Sequence, residues 1–312
     1  MLKLYLIKNM RNIIEYQDLI WMDINEPTAE DIEYLGNNFR LHPLTLKTII
    51  PAIHHPDLEI FRNYIFIILH HPDSEKKENM EIQELDIIAG EKYLITSHYK
   101  IIKPLNSIFE ECLKSPRKKE EYLKKGIGHL LFVILRQLLK EKLNKIDELE
   151  DEIDLVENEI FLGKEKEIIK RISLLKRKIL TFWRAFEPQR MIFDSLKNIG
   201  PKLFGPDLKP HFFVLFRIYQ EIEDTIKNSK ETIESLETTN HILITVGLEE
   251  VIKVLTLLSA IILPLTFLTS IWSMNTKVLP IANTDFGFWL IIIVLIITFS
   301  LMVAYFKLKK WL

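Results

Sequence analysis

Two uninterrupted apolar runs near the C-terminus constrain this chain more than any other feature of it. Val254 to Trp272 reads VLTLLSAIILPLTFLTSIW and Phe286 to Phe306 reads FGFWLIIIVLIITFSLMVAYF, and neither carries a charged residue. A bilayer's hydrocarbon core takes about 20 helical residues, so each run is long enough to span it. Runs this long, twice in succession, are read as transmembrane helices rather than as core helices of a soluble protein. Lys307, Lys309 and Lys310 follow the second span, whereas the short connector carries only Lys277 and Asp285. The excess of lysine places the C-terminus in the cytoplasm. With two spans the N-terminal part lies there too. Trp272, Trp289 and Trp311 fall near span ends, where amphipathic rings prefer the interface. The expected location is an inner or plasma membrane, multi-pass, with both termini cytoplasmic.

The remaining residues bound the soluble part. A formal net charge of -2 gives no sign of a nucleic-acid partner. The single cysteine, Cys112, excludes an intrachain disulfide and a thiolate cluster, and fits a reducing compartment. The opening MLKLYLIKNM is too short and too interrupted for a signal peptide. DLIWMDI, YIFIILH, ELDIIAG and KYLITSH are rich in β-branched and aromatic residues and are expected to be strands. PTAEDIEYLGNNF and HPLTLKTII each carry a proline near their start and are expected to be helices. Residues 1–107 therefore form a cytoplasmic α/β domain around a sheet.

From 108 to 210 the chain is expected to be largely helical. Ile146, Leu149, Ile153, Val156 and Ile160 recur at three- and four-residue steps and make one apolar stripe. Its other faces are acidic, from Asp147 through Glu159, and Gly163 ends it; the next helix carries Lys164, Lys166, Lys170, Arg171, Lys176, Arg177 and Lys178. An acidic and a basic helix joined by a tight break fold back as an antiparallel pair. The acidic faces are either solvated surface or a metal-collecting one. Asn198 to Pro210, NIGPKLFGPDLKP, is read as a loop from its clustered glycines and prolines. Beyond it no proline occurs until Pro264, so a stalk helix (211–253) can run on into the first span (254–275), about 95 Å at 1.5 Å per residue. A helix that long needs neighbours, most simply copies of itself. An outer loop (276–285), the second span (286–306) and a basic tail (307–312) complete the chain.

On the first span Ile252, Leu255, Ser259, Leu263, Thr266, Ser270 and Ser273 share one helical face that mixes aliphatic and hydroxyl side chains. Such a face either packs helices together or lines a pore, and periodicity does not choose between them. The residues that follow do. Trp272-Ser273-Met274-Asn275, preceded by EVIKVLT and PLTF and followed at the terminus by YFKLKKWL, resembles the CorA family of divalent-cation channels, whose signature is Gly-Met-Asn after an aromatic residue. LHPLTL, the YIFIILH run and ELDIIAGEKYLITSH resemble that family's cytoplasmic domain, so the likeness covers nearly the whole chain.

The resemblance implies a funnel-shaped homopentamer whose partners are its own copies, divalent cations and membrane lipid. It implies transport of Mg²⁺, with Co²⁺ or Ni²⁺, no enzymatic activity and no prosthetic group. Ser273, Met274 and Asn275 then form the selectivity filter, and Glu249, Ile252, Leu255, Ser259, Leu263, Thr266 and Ser270 line the pore. Mg²⁺ is also a regulatory ligand in such a protein. Glu223 and Asp224 are the stalk carboxylates available for it, but Lys47 and Thr48 stand where the family carries a facing acidic pair. Serine in place of the signature glycine gives up the freedom to adopt positive φ. Lys277 in the outer loop weakens the attraction of cations to the mouth. These departures leave two alternatives open: a preference for Zn²⁺ or another divalent ion, and a non-conducting sensor or scaffold. His54-His55 and His70-His71 argue little for zinc, since adjacent residues on a strand face opposite ways.

Overall fold

The computed structural model describes residues 11–50, 54–73, 81–160, 165–274, 286–309 and 311. They form two compact units, Met1–Thr238 and Thr239–Leu312. The first is built on a six-stranded sheet of order β1-β2-β6-β5-β4-β3. The strands are β1 (Arg11–Tyr16), β2 (Leu19–Asn25), β3 (Asp57–Ile60), β4 (Tyr64–Asp73), β5 (Glu81–Gly90) and β6 (Tyr93–His98). Only the β2–β6 pair is parallel. The four expected strands are the sheet's interior, β2, β6, β5 and β4. The two edges, β1 and β3, were not expected: RNIIEY and DLEI are short and half-exposed, so neither carries a sustained apolar signal.

Both faces of the sheet are buried. Met22, Ile24, Phe66, Ile68, Ile88 and Ile95 pack on one face with Leu35, Phe39, Leu41 and Ile49, which lie along α1 (Ala29–Asn38), α2 (Pro43–Thr48) and the residues just after each. The Thr28 hydroxyl accepts from the Asp31 amide and Asp31 accepts from the Thr28 amide, a reciprocal cap that fixes where α1 begins. Pro43 starts α2, at the position where its missing N–H costs least. On the other face Trp21 is wholly buried and meets Phe109 of α3 (Lys103–Lys114) edge to face at 4.7 Å.

The helices that follow are α4 (Pro116–Leu123), α5 (Ile127–Ile160), α6 (Glu165–Phe186), α7 (Arg190–Phe204), α8 (Lys209–Trp272) and α9 (Gly287–Leu308). All five members of the α5 stripe are buried. Lys178 pairs with Glu152 at 2.8 Å and Arg171 pairs with Glu159. The later residue of α6 meets the earlier one of α5, so the acidic and basic helices do run antiparallel. Gly163 lies outside the described residues.

The expected loop at Asn198–Pro210 is instead a tight join between helices. Pro201 sits in the last turn of α7, a 3-10 turn spans Pro206–Leu208, and Pro210 falls in the first turn of α8. Gly205, at φ +112°, makes the reversal. Gly200 is there for close approach: a Cβ on it would collide with the Phe212 ring of α8. Glycine and proline density signalled a loop, while each residue serves a helix end or a helix contact.

Candidate functional site

α8 remains one helix through Pro264 to Trp272, as the absence of earlier breakers requires. Proline removes one helix hydrogen bond. Hydroxyls bond back to the helix backbone around it, from Thr256 to the Ile252 carbonyl at 2.8 Å and from Thr266 to the Ile262 carbonyl at 2.9 Å. Their oxygens keep lone pairs directed outward. Ile252, Leu255 and Leu263 are 52, 58 and 68 % exposed, and Glu249, Ser259, Thr266 and Ser270 are exposed as well. Within one chain the whole stripe is therefore uncovered. Thr266 stands at its margin and also lines a groove with Leu265, Thr269 and Leu295, Ile296 and Phe299 of α9.

The end of α8 tightens. Ser273 donates to the Thr269 carbonyl at 3.0 Å and Met274 to the Ile271 carbonyl at 3.3 Å. Among the described residues the non-glycine positions at positive φ are Gln17 and Glu26, so Ser273 sits where any L-residue is at ease. The backbone freedom of the family's glycine is not used at this position. Asn275 and the connector that follows it lie outside the described residues.

The regulatory candidates Glu223 and Asp224 differ in their surroundings within one chain. Glu223 is buried beside Arg190, at 3.6 Å, while Asp224 on the next position is exposed. Burial lifts the Glu223 carboxyl above its usual range, against the pull of Arg190. Lys47 lies in the last turn of α2, and the Thr48 hydroxyl donates to the Leu44 carbonyl. Among the described residues no three His, Cys, Asp or Glu side chains are gathered closely enough to hold a metal ion.

His70 and His71 separate by face, as strand geometry demands. His70 bonds through Nε2 to the His54 carbonyl at 2.8 Å, beside Glu84. His71 points the other way and meets Lys142 of α5 at 2.9 Å. That buried lysine escaped the sequence reading. The available signal was its register, since Lys142 falls on the apolar stripe between Leu138 and Ile146. Asp86 was also missed. It is buried at the centre of the sheet, where desolvation and then the Glu84 charge push its carboxyl well above the usual range.

An α/β domain, a long helix and two C-terminal apolar helices define a two-span membrane protein with a cytoplasmic domain. Residues 16–309 match the family described as CorA-like Mg²⁺ transporter protein, and the chain belongs to that family. It is therefore a CorA-like divalent-cation transporter. It is 28 % identical over 295 residues to the cobalt/magnesium transport protein CorA of Thermotoga maritima, covering 94 % of this chain and 83 % of that one. The fold is also that of the complete CorA magnesium transporter from Methanocaldococcus jannaschii, with a TM-score of 0.82 at 23 % identity over 96 % of this chain and 94 % of that chain. The full-length CmaX protein superposes at a TM-score of 0.71 with 17 % identity, over 94 % and 89 % of the two chains.

Proposed function

We propose that this protein conducts Mg²⁺ across the membrane as a homopentamer whose five α8 helices surround the path. The observation that carries this reading is the uncovered stripe from Glu249 to Ser270, ending at Ser273-Met274-Asn275. Aliphatic rings at Ile252, Leu255 and Leu263 gate by excluding water, and hydroxyls at Ser259, Thr266 and Ser270 offer oxygen to a hydrated cation. Mg²⁺ sheds its water reluctantly, so a mouth built on Asn275 amides recognises the hydrated ion. Ahead of the span, Ile242, Val246, Leu248 and Val251 are each about half exposed or more in the single chain. Apolar side chains so placed on a stalk are covered by its copies. A relative named as a cobalt/magnesium transport protein agrees with the ion class.

Uptake into proteoliposomes, with Mg²⁺, Co²⁺, Ni²⁺ and Zn²⁺ each supplied alone, tests the reading. Mg²⁺ flux from a light-scattering pentamer is expected. Flux of Zn²⁺ alone would shift the preferred ion, and silence with all four ions would favour a non-conducting sensor.

Regulation by Mg²⁺ through Glu223 and Asp224 is expected to be weak, because the facing acidic pair is replaced by Lys47 and Thr48. Limited proteolysis in the presence and absence of Mg²⁺ should give nearly the same pattern. Strong protection that disappears in Asp224→Ala would show a working site.

A further inference from the structure

We propose that the contact between His71 at the end of β4 and Lys142 in the middle of α5 is an acid-labile latch between the sheet and the helical part of the first unit. Both side chains are buried, at 7 and 3 % exposure. The Lys142 ammonium has only donors, so at 2.9 Å the His71 Nε2 must accept, which places the ring proton on Nδ1. Lys142 also donates to the Pro72 carbonyl at 3.2 Å and to Glu141 at 3.0 Å. One lysine thus ties α5 to two consecutive residues of the strand.

The latch holds in one protonation state of the imidazole. Among the described residues the charged groups against His71 are Lys142 and Glu141, both from α5. β5 opposes it with neutral Gln83, and the turn before α7 brings neutral Gln189, whose amide donates to the His70 carbonyl at 3.0 Å. When Nε2 takes a proton from water, it can no longer accept from Lys142, and two cations face each other in a buried place. Glu141, whose Oε2 is already 3.3 Å from Nε2, is the partner left to the imidazolium. Protonation therefore exchanges Lys142 for Glu141 at the imidazole and removes the lysine's bond to His71, while its bond to the Pro72 carbonyl remains. Burial first, and Lys142 second, hold the His71 pKa well below its ordinary value. Folding thus favours the neutral ring. The stabilisation is complete above the unfolded pKa of about 6.5 and falls as pH drops below it, until His71 itself is protonated.

Hydrogen exchange of the full chain in detergent, corrected for the intrinsic rate, tests the latch at about pH 7.5 and about pH 5.5, on either side of the ordinary imidazole pKa of about 6.5. In the parent, protonation of His71 in the open state should by itself increase opening of the β4 end and the middle of α5 about tenfold at the lower pH. His71→Gln keeps a neutral acceptor for Lys142, and its opening there should change less with pH than the parent's, the remainder belonging to His70, whose pKa burial also lowers. Lys142→Met removes the tie itself while the burial of His71 remains, so its opening at the β4 end should exceed the parent's already at the higher pH, which decides the matter if His71→Gln does not fold. His70→Gln, on the other face of the strand, should retain the part of the parent's response that belongs to His71. A parent insensitive to pH in these segments, a folded His71→Gln that keeps the parent's full change, or a folded Lys142→Met that opens no more than the parent at the higher pH would overturn the proposal.

Discussion

Replacement of Asn275 by alanine is expected to abolish divalent-cation flux while leaving the oligomer intact. In the proposed filter, Asn275 is the residue whose side chain supplies a ring of amide oxygens where a hydrated cation arrives. Mg²⁺ keeps most of its water at such a site, so affinity comes from oxygens placed to accept from that water shell. Alanine has none. The substitution does not lower helix propensity and adds no charge, so membrane insertion of the neighbouring span is unaffected. Flux into liposomes at matched protein density, with light scattering on the same preparations, separates loss of conduction from loss of assembly. Ser273→Gly is the companion variant. Ser273 already occupies an ordinary backbone region, so glycine there only removes a Cβ and a hydroxyl from the mouth. Its flux should equal or exceed the parent's. An Asn275→Ala protein that conducts like the parent would remove the central residue from the pore.

Tyr219→Ala should be the most destabilising change in the first unit. Tyr219 is fully buried near the start of α8, with its ring stacked between Phe186 at 4.6 Å and Phe193 at 4.9 Å. Its hydroxyl donates to the Phe186 carbonyl at 2.9 Å. This three-ring stack fastens α8 to the end of α6 and the start of α7. Truncating a large buried aromatic costs about 3–5 kcal/mol, against a total stability of about 5–15 kcal/mol for a domain. The midpoint of thermal unfolding should fall by about 10 °C or more. Tyr219→Phe retains the stack and should lose only about 1 kcal/mol with the hydrogen bond. Equal melting of parent and alanine variant would mean that the stack does not hold the helix.

The sequence signalled what large apolar contrasts encode. Four strands were legible because both their faces are buried, so DLIWMDI and YIFIILH carry long runs of β-branched and aromatic residues. The edge strands β1 and β3 expose one side and one edge, which dilutes that signal to two or three residues. The antiparallel α5–α6 pair was legible from opposite charge and the Ile146-to-Ile160 stripe. Asn198–Pro210 misled because composition does not distinguish a glycine that turns the chain, as Gly205 does, from one that makes room for Phe212, as Gly200 does. The proposed filter rests on the resemblance of its flanks, since a Met-Asn pair alone means little. Lys142 escaped because a single lysine on an apolar stripe reads as a side chain reaching for water. Its partner, His71, is 71 residues away in sequence.

That one face of α8 lines a cation path is tested most directly by cysteine accessibility along the helix during flux. The chain offers a silent background: Cys112 is 2 % exposed, and burial pushes its thiol up to about 11, so it presents almost no thiolate. Cysteines placed singly at Leu255, Ser259, Leu263 and Ser270, and at Ile261 and Leu268 on the opposite face, would each be treated with a small cationic thiol reagent in proteoliposomes conducting Mg²⁺. Rapid block at the first four positions and none at the other two is the predicted result. Block with no helical periodicity, or block confined to Ile261 and Leu268, would contradict it.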